Sequence, residues 1–167
     1  MEKIFVSACL MGARVRYDGG AKTLENQLLA TWRAEGRLVT HCPEMAAGLS
    51  SPRPAAEIAP GATAEAVLAG RAGVYDKDGL DWTGEFTLGA QLAVELAQQQ
   101  NCRFALLTDG SPSCGPTYVH SGNFDGQRHS GEGLVAHRLR AIGVAVYAPD
   151  QLRELARALE EAENTAS

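Results

Sequence analysis

Ile4-Phe5-Val6-Ser7-Ala8-Cys9-Leu10 decides the fold of this chain: a short, nearly continuous apolar run followed at once by a cysteine. Such runs read as strands buried on both faces, the pattern of a parallel sheet covered by helices; a half-solvated strand would alternate apolar and polar residues. The pattern recurs at Leu38-Val39-Thr40, Phe104-Ala105-Leu106-Leu107 and Val144-Ala145-Val146-Tyr147. Between these runs lie amphipathic segments expected to be helical at about residues 23–34, 85–99, 133–141 and 150–163. Strands alternating with helices predict an α/β fold with a parallel sheet.

Local signals support the helices. Thr83 is placed to cap the segment that begins Gly84-Glu85, with Leu88, Leu92, Val94, Leu96 and Ala97 as its apolar stripe and Asn101 at its end. Gly143 suits the left-handed residue that stops one helix before Val144 starts a strand. The last helix carries Leu152, Leu155 and Leu159 on one face and fades into a polar tail over residues 163–167. Residues 43–83 are rich in proline and glycine, with room for a short helix at Thr63 to Ala69, and read as a loop-rich excursion forming a lid or wall.

The 167 residues suit one domain spanning the whole chain. A chain of this size buries roughly 70% of its unfolded surface, so its core needs no disulfide or metal for bulk. The four cysteines are therefore free for function. A net charge of −5 argues against a general nucleic-acid binder, and no apolar run reaches transmembrane length. Met1-Glu2-Lys3 leads straight into the first strand without a signal peptide, so a cytoplasmic location is expected, where thiols stay reduced.

Three of the four cysteines, Cys9, Cys42 and Cys114, follow strand-like segments. In an open parallel sheet those positions converge on one crevice at the carboxyl ends of the strands. Three thiolates gathered there would make a metal or iron–sulfur site with one coordination position not filled by protein. Cys102 precedes the third strand and so belongs at the opposite edge as a free thiol. There is no CxxC, HExxH or zinc-finger spacing, and the glycine-rich pieces match neither a P-loop nor GxGxxG.

Around the thiols, Glu44 is two residues from Cys42 and suits a general base or proton shuttle. Ser111 is the choice for a hydroxyl that orients substrate or water, with Ser113 its competitor. Arg16 suits a phosphate or a carbonyl, against the plainer reading of a surface ion pair with Asp18; Tyr17 could stack or donate, and Arg53 is a second candidate for the arginine's role. His41 points to the opposite strand face from Cys42, and His120, His129 and His137 read as surface or capping residues.

Ser7-Ala8-Cys9-Leu10-Met11-Gly12 with Val15-Arg16-Tyr17-Asp18-Gly19, then Cys42-Pro43-Glu44 with Gly48-Leu49 and Pro52-Arg53, then Ser111-Pro112-Ser113-Cys114-Gly115 resemble the thiouracil desulfurase family in motif and order. Thr83-Gly84 and Asn123-Phe124-Asp125-Gly126 before Gly131-Glu132-Gly133 are similar as well. The resemblance implies a Rossmann-like three-layer α/β domain, with a short, mostly parallel sheet flanked by helices. It also implies a 4Fe-4S cluster held by Cys9, Cys42 and Cys114, with one iron free for substrate sulfur. The implied reaction is non-redox: water replaces the sulfur of a thiolated uracil, free or as 4-thiouridine monophosphate, and sulfide leaves. The acidic, short chain favours such a small thiolated pyrimidine over thiolated tRNA. A non-catalytic iron–sulfur carrier or sensor and a zinc-dependent hydrolase are the rival readings.

Overall fold

Ile4, Phe5 and Val6 are inaccessible to solvent, as the apolar run requires of a central strand. The structure, a computed structural model, describes residues 1–166. The run forms β1 (Ile4–Ser7), followed by a 3₁₀ turn (Ala8–Met11), α1 (Gln27–Ala34), β2 (Leu38–His41) and α2 (Pro43–Ala46). Next come β3 (Ala56–Ile58), α3 (Ala64–Leu68), β4 (Val74–Asp76), α4 (Thr83–Gln99) and β5 (Phe104–Leu106). The remainder is β6 (Tyr118–His120), β7 (Arg128–Ser130), α5 (Leu134–Ala141), β8 (Ala145–Tyr147) and α6 (Leu152–Ala166).

The central sheet has the order β2-β1-β5-β8, and each neighbouring pair is parallel. Alternation along the strands divides the core. Phe5 and Ala105 point to a layer that contains Phe86, Ala90, Ala93, Val94 and Ala97 of α4 with Leu134, Val135 and Leu139 of α5. Ile4, Val6, Phe104 and Leu106 point to the other face, against Leu29 and Trp32 of α1 and Leu152, Leu155 and Leu159 of α6. Burying each large apolar side chain contributes about 1.5–3 kcal/mol, so this sandwich dominates stability. The first crossover leaves β1 toward β2, and a later one returns to β5 on the other side of β1. The carboxyl end of β1 is thus a topological switch point.

Several local expectations shift. The first helix begins at Gln27 rather than Thr23, because the Asn26 side chain accepts the Leu28 N–H at 2.8 Å. Thr83 does not cap α4: its hydroxyl accepts the Val74 N–H at 2.9 Å, while Asp81 accepts the Thr83 N–H at 2.8 Å. The buried face of α4 consists of Phe86, Gly89, Ala90, Ala93, Val94 and Ala97, and Leu88 is exposed. Gly143 does take a positive φ, +90°, after α5. Of the expected polar tail, Glu163 to Ala166 continue α6, and Ser167 lies outside the described residues. Glu163 accepts from the Arg37 guanidinium at 2.6 Å and from the Glu2 N–H at 3.2 Å, which holds that last stretch against the sheet's amino end.

Residues 43–83 carry more structure than their composition suggests: α2, the antiparallel pair β3–β4, and α3 between them. α2 packs on α4, where Gly89 leaves room for it; a Cβ there would lie 2.8 Å from the Pro43 carbonyl oxygen. The β6–β7 hairpin has no counterpart in the sequence reading. Among the described residues, no helix is long and apolar enough to cross a membrane.

Candidate functional site

The turns after β1 and β2 and the loop after β5 deliver Cys9, Cys42 and Cys114 to one cavity of about 400 Å³ at the switch point. Each is held by local chemistry. Cys9 lies in the 3₁₀ turn that Gly12 ends at φ +92°. Cys42 has the extended backbone (φ −119°, ψ 110°) that the following proline imposes, and Pro43 opens α2. Cys114 is fastened by Ser111, whose Oγ accepts the N–H of Ser113 at 3.0 Å and of Cys114 at 3.1 Å. Gly133 lies so close to this loop that a Cβ would stand 2.3 Å from the Ser113 carbonyl oxygen.

The electrostatics of the surrounding protein groups oppose thiolates here. Burial and then the Glu44 carboxylate push the Cys42 thiol up to about 11, and that thiol donates to Glu44 Oε2 at 3.5 Å. Burial raises Cys114 well above its ordinary value, with Glu44, Cys9 and Cys42 adding to the effect. Burial also raises Cys9, against the nearby Thr108 hydroxyl and the positive charges of Arg16 and Lys22. Burial lowers His41, whose ring stacks at a tilt 5.5 Å from Phe5. Three soft donors that repel one another as anions fit a cationic group that would deprotonate them on binding. The buried Nε2 of His41 and Oγ1 of Thr108, both on residues lining the cavity, have no hydrogen-bond partner in the protein, which fits a sulfur-rich occupant.

Most residues singled out in the sequence meet here. Glu44, Ser111, Arg16, Tyr17 and Arg53 line the cavity with the three thiols. Glu44 is 8% exposed. Arg16 lies 5.4 Å over the Tyr17 ring and 3.9 Å from the Asp18 carboxylate, a loose pair that leaves most of its donors free. Arg53 is tied down: its NH1 donates to the Val15 and Ser50 carbonyls at 2.9 and 3.0 Å, so it braces the first cysteine loop. Ser113 does not reach the cavity. It is fully buried with an unpartnered Oγ, and it is not among the residues that line the cavity.

Other cavity residues escaped the sequence reading. Lys22 donates to the Asp109 carbonyl at 3.3 Å, and Ser7 and Thr108 close the ends of β1 and β5. Tyr118 and His120 enter from β6, in edge contact at 6.3 Å, so His120 is a cavity residue rather than a surface one. His41 also lines the cavity, although its neighbour Cys42 was expected to face away from it. His137 instead pairs with Glu132 at 2.6 Å, and Cys102 is buried near Lys3, before β5. Only the β-branched or hydroxyl residues at strand ends, such as Thr108, carried a usable signal: their position after an apolar run.

The site defines a class: a parallel α/β protein with cysteines gathered at the switch point of its sheet. Residues 4–151 match the 2-thiouracil desulfurase family model, and the chain belongs to that family. It is 34% identical over 152 residues to the uncharacterized protein YbbK of Bacillus subtilis (strain 168), covering 91% of this chain and 99% of that one. A solved structure described as the 4Fe-4S-dependent thiouracil desulfidase TudS is 46% identical and superposes with a TM-score of 0.87, covering 96% of this chain and 99% of the other.

Proposed function

We propose that the chain is a 4Fe-4S-dependent, non-redox desulfidase that converts a thiolated uracil, as the base or as 4-thiouridine monophosphate, to the oxo compound and sulfide. One observation carries the reading: Cys9, Cys42 and Cys114 line the same cavity as Glu44. Family membership and the 4Fe-4S dependence named for the solved relative support it. Cys9, Cys42 and Cys114 would hold the cluster. When bound, it would supply a soft Lewis acid suited to a thiocarbonyl sulfur.

The chain's own residues do the rest. Glu44, held on the rigid first turn of α2, accepts a proton from water as the water oxygen bonds to the thiocarbonyl carbon. The carbon–sulfur bond then breaks, and sulfur leaves as sulfide, so no electrons are gained or lost overall. Ser111 cannot be the base, since its oxygen already accepts two N–H groups. Its O–H remains free to hold a substrate oxygen. Arg16 offers unpaired N–H donors to a ring carbonyl or a phosphate, and Tyr17 lines the cavity beside it.

The test is anaerobic cluster reconstitution followed by sulfide release from thiouracils, 4-thiouridine monophosphate and thiolated tRNA. Turnover of the base or mononucleotide is expected. A protein that binds the cluster and releases no sulfide from any of them is a carrier or sensor, and the proposal fails.

A further inference from the structure

Two hydroxyls at the strand ends have no part in the chemistry above. Ser7 ends β1, and Thr108 lies just beyond β5, the strand paired to β1 with Val6 opposite Leu106. Both are buried, at 1% and 7% exposure, and both line the cavity with Cys9 and Cys114. Ser7 Oγ accepts the Thr108 N–H at 3.0 Å. That bond fixes the serine oxygen as an acceptor and leaves its O–H to be donated elsewhere. Thr108 Oγ1 is buried on the cavity wall with no partner in the protein, so its O–H is available to an acceptor in the cavity.

We propose that Ser7 and Thr108 are positioning residues whose hydroxyls donate to ligand sulfurs of the bound cluster. The assignment rests on the reading of these cysteines as cluster ligands. Both hydroxyls line the cavity that Cys9 and Cys114 line, at the ends of two directly paired strands. The Thr108 N–H to Ser7 bond makes the two a unit: moving one strand end moves both donors. Hydrogen bonds to a ligand sulfur draw electron density away from iron. They raise the cluster's reduction potential, and the electron-poor iron is a better acceptor for a soft sulfur donor.

The test uses the reconstituted holoprotein, wild type and Thr108→Val, Thr108→Ser and Ser7→Ala. Iron and acid-labile sulfide are counted, the midpoint potential is titrated, and iron–cysteine stretching bands are recorded by resonance Raman in H₂O and D₂O. Expected are full clusters, a more negative potential in Thr108→Val and Ser7→Ala, and recovery in Thr108→Ser. The wild-type bands should shift in D₂O, with part of that shift lost in each hydroxyl-free variant. Full clusters with an unmoved potential and unmoved bands overturn the inference while leaving the desulfidase reading intact. A wild-type chain that takes up no 4Fe-4S cluster overturns both. Should a variant lose its cluster, the wild-type D₂O shift decides: no shift means no hydroxyl donors at the sulfurs.

Discussion

The contact between α2 and α4 ties core packing to the site, and Gly89→Ala measures the link. A Cβ at position 89 would lie 2.8 Å from the Pro43 carbonyl oxygen and 3.1 Å from its carbon, so α2 must retreat by about 0.6 Å to reach an ordinary contact of 3.4 Å. Pro43 is the first residue of α2, with Cys42 before it and Glu44 after it. Overpacking of this kind costs about 1–3 kcal/mol, against a gain of about 1 kcal/mol from replacing a helical glycine by alanine. The net expectation is a loss of up to about 2 kcal/mol. Activity should suffer more, because displacing a base by a sizeable fraction of an ångström costs up to about 10²-fold. Gly84→Ala, in the same helix with nothing within 4 Å of its Cβ, is the internal control and should stabilise by about 0.5–1 kcal/mol. Urea unfolding gives the first quantity and the sulfide-release rate the second. If Gly89→Ala matches Gly84→Ala in both stability and turnover, α2 is not held in register by this contact and the reasoning is wrong.

Glu44→Gln should keep the cluster and slow sulfide release by about 10²- to 10⁴-fold, and near-normal turnover would remove it as the base. Cys9→Ser, Cys42→Ser and Cys114→Ser should each lose the cluster's visible absorbance, whereas Cys102→Ser should keep it; the reverse pattern would reassign the ligands. Burial pushes the Cys102 thiol up to about 11 from its ordinary 9.0. The folded chain thus holds a proton that the unfolded chain releases, and this contribution to stability is complete below about pH 9 and lost on the way to pH 11. Urea midpoints at pH 8 and pH 10.5 should fall less in Cys102→Ala than in wild type; an equal fall would show that this thiol is not responsible.

The central sheet was legible because all four strands begin as short apolar runs: Ile4-Phe5-Val6 and Phe104-Ala105-Leu106 are buried on both faces at the centre, whereas the edge strands β2 and β8, expected to be as buried, are only half-buried and Thr40 is exposed. The β6–β7 hairpin was not legible. Arg128, His129 and Ser130 are all exposed, so β7 has no apolar face, and its pairing with β6 is the only thing that makes it a strand. The stripe on α4 was read in part: Val94 and Ala97 are buried and Leu96 packs on the core, but Leu88 is exposed, and Gly89, Ala90 and Ala93 fill the close approach to the sheet and α2. The Thr83 cap failed because β4 took its hydroxyl first.

The sequence by itself determined the sheet, the gathering of Cys9, Cys42 and Cys114 at its carboxyl edge, and the presence of Glu44 beside them. Strand periodicity and the residues just after each strand are local properties, and a parallel sheet turns them directly into position. Only the tertiary structure decided the membership of the site. It tied Arg53 to the Val15 and Ser50 carbonyls, buried Ser113 away from the cavity lining, and brought in Ser7, Thr108, Lys22 and His120. Many of those outcomes depend on partners far apart in the chain, as Arg53 finds the Val15 carbonyl over 38 positions and the Thr108 N–H finds Ser7 over 101, and no local pattern encodes such a pairing.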